Sequence, residues 1–359
     1  MKGQMKNWFM TLTLGVLLIL AGCTAKKPED TLTGKLEKVK AQDVEAILDF
    51  VDYERLFGTE LKEGEQMPSD AAELLKNLFK RFDFKITSTD TDKETPEVTV
   101  DVTMQDMDAV VKDYYKKAVI FGMDHPNEDV ASNMDEQSLA WLNELFAGEY
   151  GTIHREVVFQ MEKEDGDFRV MNPEVLGDMA SGNFTAGEQA RAVITPDFLT
   201  GVIFDHMKSM AVENLAEYLD IHGIVSTGLD RADEIDRVYT QQIQKLLSYS
   251  IEGVEYNGSR AVATVELTAL DLSEVLKQYA EYAIGSAEEL GSLSDEEYLA
   301  ALEEKFIEDM KNAEKTTTTS VKLNFKVTDD MWSFQPDEDF LDAVCGGLYK
   351  ALETLDFYM

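Results

Sequence analysis

Two aspartates, Asp106 and Asp271, stand at matching points of this chain. Each follows an alternating apolar stretch and precedes a helical one. A carboxylate held over a pocket at such a place would serve as a general base. The same position suits a helix N-cap, and that plainer reading is preferred. Tyr114 and Tyr279 follow each aspartate by eight residues. Either hydroxyl could face a ligand, although core packing with the hydroxyl satisfied is the simpler role. These four residues are the ligand-pocket candidates. His125, His154, His206 and His222 lie far apart and form no His-x-x-x-His pair, so no zinc site is expected. Asp90-x-Asp92 starts like a calcium loop but lacks the glycine at its sixth and the glutamate at its twelfth position. Asp329-Asp330 and Asp337-Glu338-Asp339 read as turn and helix-start acids before they read as calcium ligands. No Gly-x-Ser-x-Gly elbow or phosphate-cradling loop occurs. Catalytic residues, a metal and a cofactor are therefore all unassigned, and an enzyme is the less favoured class.

The remaining reactive side chains are two cysteines. Cys23 closes a basic start (Lys2, Lys6), an apolar run Thr11–Leu20 and the small pair Ala21-Gly22. That order follows the secretory plan, and the apolar run is shorter than the roughly 20 residues a membrane span needs. Leu20-Ala21-Gly22-Cys23 resembles a bacterial lipoprotein signal, which implies cleavage before Cys23, a diacylglyceryl group on its sulfur and stable anchoring by two chains. Thr24, not aspartate, follows the cysteine; in a two-membrane envelope the resemblance implies sorting to the outer membrane. Cys345 is then left alone, no internal disulfide can form, and its setting, Ala343-Val344-Cys345-Gly346-Gly347, suits a small buried residue.

The formal net charge is −37, with 70 acidic against 33 basic residues. Such a surface repels nucleic acid and anionic head groups and attracts cations. A nucleic-acid partner is thereby excluded. The 359 residues, 44% of them hydrophobic, suit two folded domains.

Element patterning comes next. Residues 23–35 read as a lipidated, flexible tether. One helical stretch is expected from about Leu36 to Leu56 and another after the cap at Met67-Pro68-Ser69-Asp70. Phe82, Phe84 and Ile86, then Val98, Val100, Val102 and Met104, alternate as a hairpin joined by the polar loop Thr89–Pro96. Two helices (about 107–121 and 135–146), a second hairpin turned at Asp165-Gly166 and a short helix from Pro173 complete the first half. The second half repeats that order: a helix from Phe198 to about Leu219, one at 233–247, a hairpin turned at Asn257-Gly258 and helices at about 271–284 and 295–312. A strand 318–327, a return near Trp332 and a helix from Pro336 follow.

The repetition extends to residues. Thr99-Val100-Asp101-Val102-Thr103-Met104-Gln105-Asp106 lies beside Thr264-Val265-Glu266-Leu267-Thr268-Ala269-Leu270-Asp271 at a constant offset. Val110, Lys112, Tyr114 and Ala118 lie beside Val275, Lys277, Tyr279 and Ala283, and Pro173 beside Pro336. A period this long means a duplicated domain, not a solenoid. The expected division is a signal peptide 1–22, the tether 23–35, and domains 36–184 and 185–359.

Helices, hairpin, helices, hairpin and closing helix, given twice, resemble the cystatin-like or nuclear transport factor 2-like α+β roll. More narrowly, the chain resembles bacterial lipoproteins that carry two such domains of unknown function. The resemblance implies helices on curved antiparallel sheets with a cone-shaped pocket, used in relatives for proton transfer, ligand binding or dimerisation. None of those roles transfers residue by residue. The unequal hairpin turns, Thr89–Pro96 against Asn257-Gly258, imply pockets of unequal shape. The expected function is a membrane-anchored, extracytoplasmic, non-enzymatic protein that binds a small molecule or an envelope protein. The alternatives are a hydrolase or isomerase using Asp106 or Asp271, and a structural envelope protein.

Overall fold

The computed structural model describes residues 26–57, 59–62, 66–126, 130–181, 191–221, 231–286, 291, 293–328, 330–348 and 350–351. The expected lipidation motif, Leu20, Ala21, Gly22 and Cys23, lies outside them together with His222. By contacts the described chain forms two units. One holds the residues up to Met107 and from Phe146 to Ser181, the other Asp108–Leu145 and the residues from Arg191 onward.

The first unit is built on an antiparallel sheet of order β1-β2-β3-β4, with β1 Asp83–Asp90, β2 Glu97–Gln105, β3 Thr152–Glu164 and β4 Asp167–Val170. Val98, Val100, Val102 and Met104 of β2 and Phe159 and Met161 of β3 are buried, while Asp101, Glu156 and Gln160 are exposed. This alternation gives the sheet one dry face. Helices α1 Pro28–Lys40, α2 Val44–Leu48, α3 Tyr53–Phe57, α4 Ser69–Leu78 and α7 Glu174–Ser181 belong to this unit. Phe50, just after α2, meets Phe159 edge to face at 6.1 Å.

Between β2 and β3 run α5 Met107–Asp124 and α6 Val130–Ala147. Val111 and Met123 of α5 are buried in the second unit's core. That unit also holds α8 Pro196–Met207, α9 Val212–Tyr218, α10 Ala232–Leu246, α11 Leu272–Gly285, α12 Asp295–Lys311 and α13 Glu338–Val344. Its sheet runs β5-β6-β7-β8, with β5 Ser248–Asn257, β6 Arg260–Leu270, β7 Thr316–Thr328 and β8 Met331–Phe334.

The two sheets share irregularities as well as order. The β1–β2 register shifts between Ile86 and Ser88, and the β5–β6 register between Ile251 and Gly253. The Asp106 N–H donates to Gly151 O at 2.9 Å, and the Asp271 N–H to Lys315 O at 3.0 Å. A bulge kept at one register point in two sheets is a built feature. The fold is α+β.

Five local expectations need correction. Residues 26–35 are not a flexible tether: α1 begins at Pro28 and buries Leu32, Leu36 and Val39. Proline at the first helical position and apolar residues at four- and three-residue steps explain it. The helical stretch to Leu56 is three helices, because Gln42 adopts a left-handed φ of 61° and Asp43 then caps α2 through Glu45 and Ala46 N–H. The cap at α4 is Pro68 main chain, with no side-chain bond. The helix expected from Phe198 to Leu219 breaks after Met207. There Ser209 Oγ bonds Asp205 and His206 carbonyls, while Gln244 Nε2 from α10 takes those of Met207 (3.0 Å) and Met210 (2.9 Å). Carbonyls satisfied by side chains no longer need the next helical turn. In the β5–β6 hairpin the turn residues are Gly258 and Ser259, not Asn257 and Gly258, flanked by the Asn257–Arg260 pair. Gly258 carries the positive φ (61°) that the first central position of a type II′ turn needs.

Candidate functional site

An opening that borders a sequence candidate lies in the second unit, between β7 and α13. It is a groove of about 740 Å³. Thr317, Thr319, Val321, Lys322 and Asn324 of β7 form one side. The other follows α13 and its continuation, with Asp337, Asp339, Asp342, Gly346 and Lys350, and Asp271 closes one end.

Local chemistry fixes these walls. Asp337 caps α13 by accepting from Phe340 N–H at 2.9 Å. Asp342 is buried and pairs with the exposed Lys350 at 3.0 Å. Past the helix, Gly346 sits at φ +68° so tightly against β6 that a Cβ would lie 2.0 Å from Leu270 O. Its carbonyl accepts from Leu272 N–H at 3.3 Å. Glycine alone permits both the conformation and the approach. Cys345 beside it is 1% exposed, and burial first, then Asp342, pushes its thiol up to about 12. The thiol therefore stays protonated, as its small-residue setting suggested. Four carboxylates against Lys322 and Lys350 leave the groove acidic.

Of the four pocket candidates, only Asp271 reaches this groove. Its carboxylate is engaged: it accepts from Glu274 N–H at 3.3 Å and Ser273 Oγ at 2.6 Å, capping α11. Asp106 is half-buried at the head of α5. Tyr114 donates to Ser138 Oγ of α6 at 3.1 Å and packs edge to face on Tyr115 and Trp141. Tyr279 packs edge to face on Phe306 of α12 at 5.3 Å, and burial raises its phenol. Each tyrosine thus ties its helix to the next. Eight residues set it about 12 Å along the helix from its aspartate, too far for one site. Among the described residues no group of three metal-ligating side chains converges. His125 bonds Phe121 O, His154 meets Thr103 Oγ1, and His206 meets Asp124.

Sequence reasoning missed the groove. Its one signal was Thr316-Thr317-Thr318-Thr319-Ser320, a strand segment polar on both faces. Such a segment marks a strand end that neither face of the sheet buries.

No family model and no curated protein matches the chain. Among solved structures it is similar to the crystal structure of ycdA, a lipoprotein candidate from Bacillus subtilis subsp. subtilis str. 168. That likeness has 11% identity, covers 73% of this chain and 96% of that one, and has a TM-score of 0.28. At that score the likeness carries no argument about this chain. Among the described residues no helix is long and apolar enough to cross a membrane.

Proposed function

We propose that this protein is a lipid-anchored extracytoplasmic lipoprotein, held by a diacylglyceryl group on Cys23, that binds a partner without transforming it. The anchor rests on Leu20-Ala21-Gly22-Cys23 behind its basic and apolar leader. The two α+β sheets with their helices are, in this reading, a tandem of cystatin-like rolls. The observation that carries the binding role is the open acidic groove between β7 and α13, whose one pocket candidate, Asp271, is already spent on capping a helix. A general base needs a carboxylate aimed at substrate, and this one faces main-chain N–H.

The test is native mass spectrometry of the full-length gene product purified gently from its own host, beside Cys23→Ser. The expected result is an acyl-glyceryl mass on Cys23, loss of membrane association in the variant, and a bound mass that leaves when the protein is denatured. An unlipidated Cys23 would overturn the anchor. Turnover of small-molecule substrates that Asp271→Asn abolishes would overturn the binding role.

A further inference from the structure

We infer that the edge of β7 is a strand-addition site, and that its occupant is an extended, lysine- or arginine-bearing segment of a partner protein. The inference rests on the binding role above and names its site and partner class. On its outer side β7 is paired by β8 only over Phe325–Thr328. Over Thr316–Asn324 no described strand fills that lane.

The parity of the ladder shows which groups face it. Lys315 O accepts from Asp271 N–H, and Val327 N–H donates to Ser259 O, so odd-numbered residues of β7 direct their main chain toward β6. The β6–β7 register runs without a shift from Arg260–Lys326 to Leu270–Thr316. In an antiparallel strand these directions alternate. Thr316, Thr318, Ser320, Lys322 and Asn324 therefore present their N–H and C=O groups to the lane, and no described residue bonds them there. Nine residues of open lane span about 30 Å.

An open edge is a template for main-chain pairing, and the pockets beside it choose the side chains. Here the neighbouring wall is acidic: Asp337 and Asp339 are exposed, and Asp342 lies deeper, held by Lys350. Alternate residues of an incoming strand would point at those carboxylates, so cations fit. A second copy of this chain fits poorly, since it would bring the same acids, on a chain of net charge −37, against themselves.

The test uses the full chain in detergent micelles at low salt and a capped nine-residue peptide alternating lysine with threonine or valine. Saturable binding is expected, with new hydrogen-exchange protection at residues 316, 318, 320, 322 and 324. Ser320→Pro removes one lane donor while leaving the β6 ladder intact, as proline at an outward edge position does. It should weaken binding at least ~10-fold. Asp339→Asn should weaken it a few-fold and flatten its salt dependence, which keeps the test decisive if the proline variant does not fold. A glutamate-for-lysine peptide should not bind. The inference is overturned if the unaltered chain does not bind the lysine peptide, if protection appears elsewhere, or if folded Ser320→Pro binds equally well. It is also overturned if the chain dimerises through 316–324 and the peptide cannot compete. None of these outcomes depends on lipid at Cys23.

Discussion

The two sheets have one plan and different edges. In the first, Met171 N–H donates to Gln160 O at 2.8 Å, and the Asn172 side chain accepts from Gln160 N–H (2.7 Å) and donates to Val158 O (3.0 Å). One asparagine thus closes the lane where β4 ends. The exposed segment beyond it carries Arg155 and Glu156, charges that discourage pairing. In the second sheet a single residue, Gln335, joins β8 to Pro336, where Met171 and Asn172 join β4 to Pro173. The shorter link leaves no counterpart of Asn172, and the lane stays open. One residue fewer in the connection after β8 thus leaves open an edge that the first sheet closes at Gln160.

The closing helices differ in a parallel way. Gly177 sits within α7, and a Cβ there would lie 2.2 Å from Phe50 O; Gly346 sits beyond α13, against Leu270 O. The largest expected effect comes from exchanging them. Gly346→Ala combines a left-handed φ with a main-chain clash and should destabilise the second unit by about 3–5 kcal/mol. Gly177→Ala, with the clash alone, should lower the first by about 2–4 kcal/mol. Gly166→Ala, at φ +87° with open space around it, should cost only about 1–2 kcal/mol. Denaturant melts of the three variants check the ranking. Equal losses at 346 and 166 would show that conformation and not contact requires Gly346.

The edge difference is tested by Asn172→Ala. Two exposed main-chain groups would exchange a side-chain partner for water, a loss of about 1 kcal/mol, and Gln160 N–H should exchange markedly faster. Unchanged exchange at Gln160 would mean that the two edges are equally open and would break the comparison.

The smallest effect is a pH dependence of α1 in the first unit. Asp167 is held down at about 2 by Lys26, then by Thr31 Oγ1 at 2.7 Å and Phe168 N–H. A depressed carboxyl contributes its full stabilisation above its ordinary value of 3.8 and loses it as pH falls through about 2. Exchange protection of α1 should therefore decline between about pH 4 and 2, and Asp167→Asn should remove that decline. Met331 takes the place of Asp167 in the second unit, so this particular contact has no counterpart there. A decline that survives Asp167→Asn would assign it to other groups.

Much of the architecture was legible because period and punctuation speak locally. The alternation of Val98, Val100 and Val102, with Val265 and Leu267 aligned beside the last two, announces two half-buried sheets, although Val262, Thr264, Glu266 and Thr268, read as the pattern of the second strand, lie on its wetter face. Asp271 before an apolar helical run announces its own capping bond. The breaks were less legible. Gln42 gives no sign of its left-handed turn, and α8 ends where Gln244, more than thirty residues on, claims the carbonyls. Tyr114 and Tyr279 matched in sequence yet serve helix pairing, since the partners Ser138 and Phe306 are brought to them by the fold.

The amino-acid sequence alone thus determined the acidic charge balance, the α+β class and the twofold repetition, because each depends on composition or on neighbours within a few residues. Tertiary structure alone decided that Val111 and Met123 enter the second core, that Asp271 borders a groove while Tyr279 does not, and that β7 keeps an open lane. Strand pairing joins residues distant along the chain, and whether an edge is covered depends on where the last connection places its main chain. In this protein one residue fewer before Pro336 makes that difference.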